Sequence, residues 1–143
     1  MPRRKAREQA LQALYQIDLT GVKPQEALQA LYAEESVPED LDPFLVRLVY
    51  GTYEHLDQLD PVIRRHLIGW ELWRLSVVDR NILRLALFEM IHLDTPHSVV
   101  MDEAVELAKT FSTDDARRFI NGVLSAASRH LTKASSAPEK DEV

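Results

Sequence analysis

The residues of this chain able to carry chemistry fall into a few short runs. Glu89-Met-Ile-His92 has the Glu-x-x-His spacing that sets two metal ligands on one helix face. Helical di-iron sites need two such motifs and two further glutamates, and this chain has a single copy, so a helix-surface pair is the better reading. The five histidines (His55, His66, His92, His97 and His130) form no HExxH and no close pair. Gly21, Gly51, Gly69 and Gly122 stand alone, which leaves no glycine-rich phosphate loop, and no serine sits in a nucleophile-elbow context. With no cysteine, disulfides, thiolate metal sites and cysteine nucleophiles are excluded. The balance favours binding over catalysis: no catalytic residue, no metal and no cofactor.

Three cationic runs remain. The first seven residues hold four cations (Arg3, Arg4, Lys5, Arg7), whereas the other 136 hold 13 Lys/Arg and all 23 Asp/Glu. The helix dipole opposes cations at an N-terminus, so this cluster does not serve to stabilise its own helix. It is either a solvated start or a phosphate-binding patch strengthened by the helix N–H groups. Arg64-Arg65-His66 and Arg117-Arg118-Phe119 extend such a patch if the fold brings them close. Phe119 beside Arg118 offers a stacking face next to phosphate contacts, the combination that holds single-stranded RNA, although periodicity equally allows Phe119 in the core. A net charge of −6 repels bulk nucleic acid, so binding should be local and salt-sensitive. Tyr15, and Asp79 with Arg80 and Arg84 on the polar edge of a later helix, read either as partner contacts or as solvated surface.

The elements that must position these residues are helices. Length (143 residues), 45% hydrophobic content and 28% charge suit one soluble globular domain. Ala6, Ala10, Leu14 and Ile17 stripe a first helix that stops at Thr20-Gly21, and a short second helix runs from Pro24 to about Glu35. Asp42-Pro43 and Asp60-Pro61 both read as an N-cap followed by proline at the first helical position, opening a third helix through Leu56 and a fourth through Leu67. Ser76-Val-Val-Asp79 has capping-box spacing and starts a fifth helix; from Val77 to Leu93, 11 of 17 residues are apolar, too many for a surface helix. A sixth helix follows Pro96, and Ser112-Thr-Asp-Asp115 caps a seventh. No segment alternates as a strand. The expectation is an all-α domain of about seven helices over residues 1–132, with 133–143 as a disordered polar tail. No run is long and apolar enough for a membrane span, and no apolar signal region follows the basic start, so a cytoplasmic location is expected.

Three blocks together carry a family resemblance. "RRKAREQALQALYQ", "DRNILRLALFEM" and "VVMDEAVELAKTFSTDDARRFINGVL" resemble the NusB family of bacterial transcription antitermination factors, in order, from Arg3 to about Leu131. The resemblance implies two small bundles of three and four helices packed perpendicular to each other. It implies binding to the boxA RNA of ribosomal RNA operon leaders together with the ribosomal protein NusE, and entry into the RNA polymerase antitermination complex, without catalysis or cofactor. It assigns RNA contacts to Arg3, Arg4, Lys5, Arg7, His66, Arg118 and Phe119, and NusE contacts to Tyr15 and Asp79. Asn121 and Gly122 read as structural, Gly for close helix approach and Asn for a bond to a neighbouring backbone. A monomer and a homodimer both fit the family. The same fold also serves as the N-terminal domain of a ribosomal RNA cytosine methyltransferase, which the lack of a glycine-rich loop disfavours; a purely protein-binding module is the other alternative.

Overall fold

The computed structural model describes residues 2–35 and 41–136, with side chains described for 2–31 and 41–132. The described residues form seven α-helices and no strand: α1 (Arg3–Thr20), α2 (Pro24–Glu35), α3 (Pro43–Glu54), α4 (Leu56–Arg65), α5 (Val77–His92), α6 (His97–Phe111) and α7 (Asp114–Ser136), with a 3₁₀ turn at Leu72–Arg74. None is long and apolar enough to cross a membrane. α7 continues to Ser136, past the expected domain limit at Thr132; residues 137–143 of the expected tail lie outside the described residues.

Local chemistry sets most of the boundaries. Gly21 takes φ 77°, where a side chain would be strained, and its N–H donates to the Ile17 carbonyl to close α1. The Asp42 carboxylate accepts the Phe44 N–H and Pro43 follows at the first helical position, as read from sequence. The second Asp-Pro pair behaves differently. α3 ends at Glu54 with His55 as its C-cap, the His55 ring Nδ1 donating to the Gly51 carbonyl at 2.7 Å, and α4 starts at Leu56, so Pro61 falls inside the helix. The carbonyl this leaves unpaired belongs to Asp57, on the exposed side. Asp60 is therefore no N-cap: it is buried, and both its oxygens accept from Arg84 at 2.8 Å. Leu67 lies beyond the helix it was expected to join.

The Ser76 hydroxyl accepts the Asp79 N–H, but the expected box does not close. The Asp79 carboxylate turns outward to accept the Ser112 hydroxyl at 2.6 Å. Ser112 instead closes α6, its N–H donating to the Ala108 carbonyl, and Thr113 caps α7 by accepting the Ala116 N–H. α1 packs with α2 and α3, and α4 to α7 form the second group. Both groups meet on α5, whose residues from Arg80 to Met90 are all buried. The two layers approach closely at α3 and α5, because a Cβ on Gly51 would overlap the Phe88 ring.

Candidate nucleic-acid interface

The basic start of α1 divides between inside and outside. Arg7 is buried, its Nε and Nη2 donating to the two oxygens of buried Glu89 at 2.9 and 2.6 Å. Its Nη1 lies 3.6 Å from Glu103. The hydrogen bond to Glu89 raises the Arg7 pKa against the opposing effect of burial, helped by the charges of Glu89 and Glu103. Burial and the two bonds to Glu89 hold this guanidinium inside the protein. That corrects two sequence expectations: Arg7 is an internal strut between α1 and α5, and Glu89-x-x-His92 is no surface pair. His92 instead packs tilted against His55 (4.2 Å between ring centres), stacks on Phe88 and bonds Gln58 at 2.7 Å. The pattern held the signal, since Arg7 precedes Leu11 and Leu14 at i+4 and i+7, on their face of the helix.

Arg3, Arg4 and Lys5 are exposed. Arg3 sits over the Phe44 ring at 4.3 Å. Arg4 reaches α6, donating to Glu103 at 3.1 and 2.8 Å. That hydrogen bond from Arg4 holds the Glu103 carboxyl below the ordinary carboxylate range although partial burial acts the other way. Arg4 opens onto a cleft of about 640 Å³ between α6 and α7, lined also by Asp102, Glu106, Arg117, Arg118 and Asn121. Two of the expected basic runs, separated by more than a hundred residues in sequence, thus converge on one groove.

Arg118 and Phe119 are neighbours on α7 but serve different grooves. Arg118 is exposed to the cleft with Arg4. Phe119 is half-buried: it packs against the core and also lines a groove of about 310 Å³ with Trp70, Arg74, Leu75 and Asp79. Both readings of Phe119, as core residue and as exposed ring, therefore describe part of it. His66 lies apart, beside His130 with ring centres 5.9 Å apart. Burial, and then the positive surroundings of His130, Arg65 and Arg129, lower its pKa.

The expected partner face is also reshaped. Tyr15 is 38% exposed, and Asp79 lines the Trp70 groove. Arg80 and Arg84 are not on a polar edge but buried, both bonded to Asp18, with Arg84 also on Asp60. Burial pushes the Asp18 carboxyl up, but hydrogen bonds from Arg80 and Asn81 and the charges of Arg84 and Arg80 outweigh it and lower the pKa. Gly122 does not serve close helix approach, since a Cβ there would meet nothing within 4 Å, and exposed Asn121 lines the cleft. Sequence reasoning passed over Ile68, Trp70 and Trp73, which are 92, 56 and 62% exposed. Their signal was two tryptophans beside Gly69 in a stretch with no helical stripe.

The NusB family model matches residues 4–129. The Bacillus subtilis (strain 168) transcription antitermination protein NusB is 52% identical over 126 residues, covering 87% of this chain and 93% of that protein. The Symbiobacterium thermophilum transcription antitermination protein NusB is 45% identical over 148 residues, covering 97% of each. Among solved structures, antitermination factors NusB and NusE in complex with dsRNA align with TM-score 0.81 and 33% identity, over 90% of this chain and 96% of that one. The sequence blocks, the helix order and the converging basic runs agree with these matches, and the chain belongs to the NusB family.

Proposed function

We propose that this protein is a transcription antitermination factor of the cytoplasm. It binds boxA RNA of ribosomal RNA operon leaders together with NusE and joins the RNA polymerase antitermination complex. The observation that carries the reading is the convergence of exposed Arg4 and Arg118 on one cleft, with the Phe119 ring at the next position of α7. Guanidinium groups give phosphate contacts and a ring gives base stacking, the usual pairing for single-stranded RNA. Arg3 and Lys5 add positive charge at the same end of α1, while Arg7 holds that end onto α5. The relative solved with NusE and dsRNA supports the partner pair, and the relatives' common name supports antitermination over a methyltransferase domain. Tyr15 and Asp79 remain the proposed NusE contacts, and His66 a further RNA contact. Fluorescence anisotropy with labelled boxA RNA, with and without NusE, tests the reading. Binding strengthened by NusE and weakened by salt is expected; no binding even with NusE present would refute it.

A further inference from the structure

At the far end of α7 from the cleft lies a second group of cations. Arg65 donates to His130 Nε2 at 2.7 Å, His66 packs edge-on to His130, and Arg129 donates to Ser125 at 2.8 Å. Among the described residues neither Arg65 nor Arg129 pairs with a carboxylate, nor does neighbouring Arg64. In a chain of net charge −6, whose buried arginines are all paired, that is an unusual concentration. The α4 dipole accounts for Arg64 and Arg65 in its last turn, but not for Arg129 and His130 arriving from another helix. His66 Nε2 is also shielded from solvent and has no hydrogen-bond partner.

α7 links this cluster to the cleft. Arg118, Gly122, Ser125 and Arg129 fall at i, i+4, i+7 and i+11, one face of the helix. At a rise of 1.5 Å per residue the two arginines stand about 16 Å apart, a span of a few nucleotides. The space over Gly122 is open.

We propose that Arg65, His66, Arg129 and His130 form a second phosphate-binding subsite, which takes the RNA backbone after it leaves the Arg4–Arg118 cleft and runs along α7. The proposal rests on the RNA-binding reading above and adds Arg65, Arg129 and His130 to it. The test is anisotropy of the full chain with fluorescein-labelled boxA RNAs trimmed stepwise from either end, comparing wild type, Arg65→Ala/Arg129→Ala and Arg118→Ala. On the longest RNA the double variant should bind about tenfold more weakly, and its salt slope should shrink by about 0.7 for each phosphate it no longer neutralises. On RNAs too short to pass Arg118 it should match wild type. Arg129→Gln, which keeps a donor for Ser125, should show the same length dependence, and unchanged melting temperatures should confirm that both variants fold. Equal affinity of wild type and the double variant at every length, with Arg118→Ala still weakened, would overturn the subsite and leave the RNA-binding reading standing. A loss that is the same on the shortest RNA would also overturn it. Failure of the wild type to bind any RNA with NusE present would remove both.

Discussion

Arg7, Arg80 and Arg84 lie inside this protein, each bonded to carboxylates, while Arg65, Arg118 and Arg129 lie outside, with no carboxylate partner among the described residues. The side chain is the same and the role is opposite. Removing a guanidinium from water costs several kcal/mol, which two-point bonding to a carboxylate offsets only when the geometry is good. The inner arginines meet that condition and tie α1 and α4 to α5. The outer ones have no carboxylate partner among the described residues, and Arg65 and Arg129 bond only the neutral groups of His130 and Ser125. The local field of such side chains, and not the net charge of −6, decides where an anion is drawn to the surface.

The largest expected effect tests the inner set. Arg7→Ala strands Glu89 without its partner and should cost about 3–5 kcal/mol in urea unfolding. Replacing both partners by Met should recover most of that loss. If Arg7→Ala stayed within about 0.5 kcal/mol of wild type, the strut would lose its meaning.

Acid should act next, through the carboxylates and histidines whose pKa values the fold lowers. Asp18 and Glu103 have lowered pKa values in the fold. Their contribution is therefore fully present above the unfolded carboxylate value of about 4, and is lost as pH falls through the lower folded values. His66 and His92 are also lowered, so protonation favours the unfolded chain and stability should begin to fall below about pH 6.5, before the carboxylates respond. Urea midpoints between pH 7 and pH 3 should show both phases, and Arg118→Ala should leave them unchanged. A curve flat down to pH 3 would count against the paired network.

The smallest effect probes the outer face. Gly122→Ala on exposed α7 should stabilise the protein by about 0.5–1 kcal/mol, because alanine suits a helix better and meets no neighbour. Gly51→Ala should instead destabilise it by about 1–3 kcal/mol through the Phe88 ring. Equal shifts at the two glycines, read as melting temperatures, would mean that the α7 face is not open.

Helix order, the caps at Asp42 and Ser76, and the burial of α5 were legible because 3.6-residue periodicity and capping chemistry are local. The split among the arginines was not. Arg7 and Glu89 stand 82 positions apart, and although the Leu11–Leu14 stripe puts Arg7 on the buried face, nothing near it names the carboxylate it meets. Asp60-Pro61 copies the local signature of Asp42-Pro43, yet a tertiary partner, Arg84, claims Asp60 and the proline is absorbed within α4. The glycines show the same limit: whether a missing Cβ matters depends on what lies opposite, which is Phe88 for Gly51 and open space for Gly122. The basic runs at both ends of the chain were visible as candidates, but their meeting in one cleft depends on α1 and α7 flanking α6.

The salt dependence of boxA RNA affinity, measured for wild type and Arg118→Ala in the presence of NusE, tests most directly the claim that the outer arginines form the RNA surface. The logarithm of the affinity should fall linearly with the logarithm of salt concentration. Arg118→Ala should bind more weakly, with a slope smaller by about 0.7 and stability unchanged. An affinity indifferent to salt, or an Arg118→Ala slope identical to wild type, would contradict it.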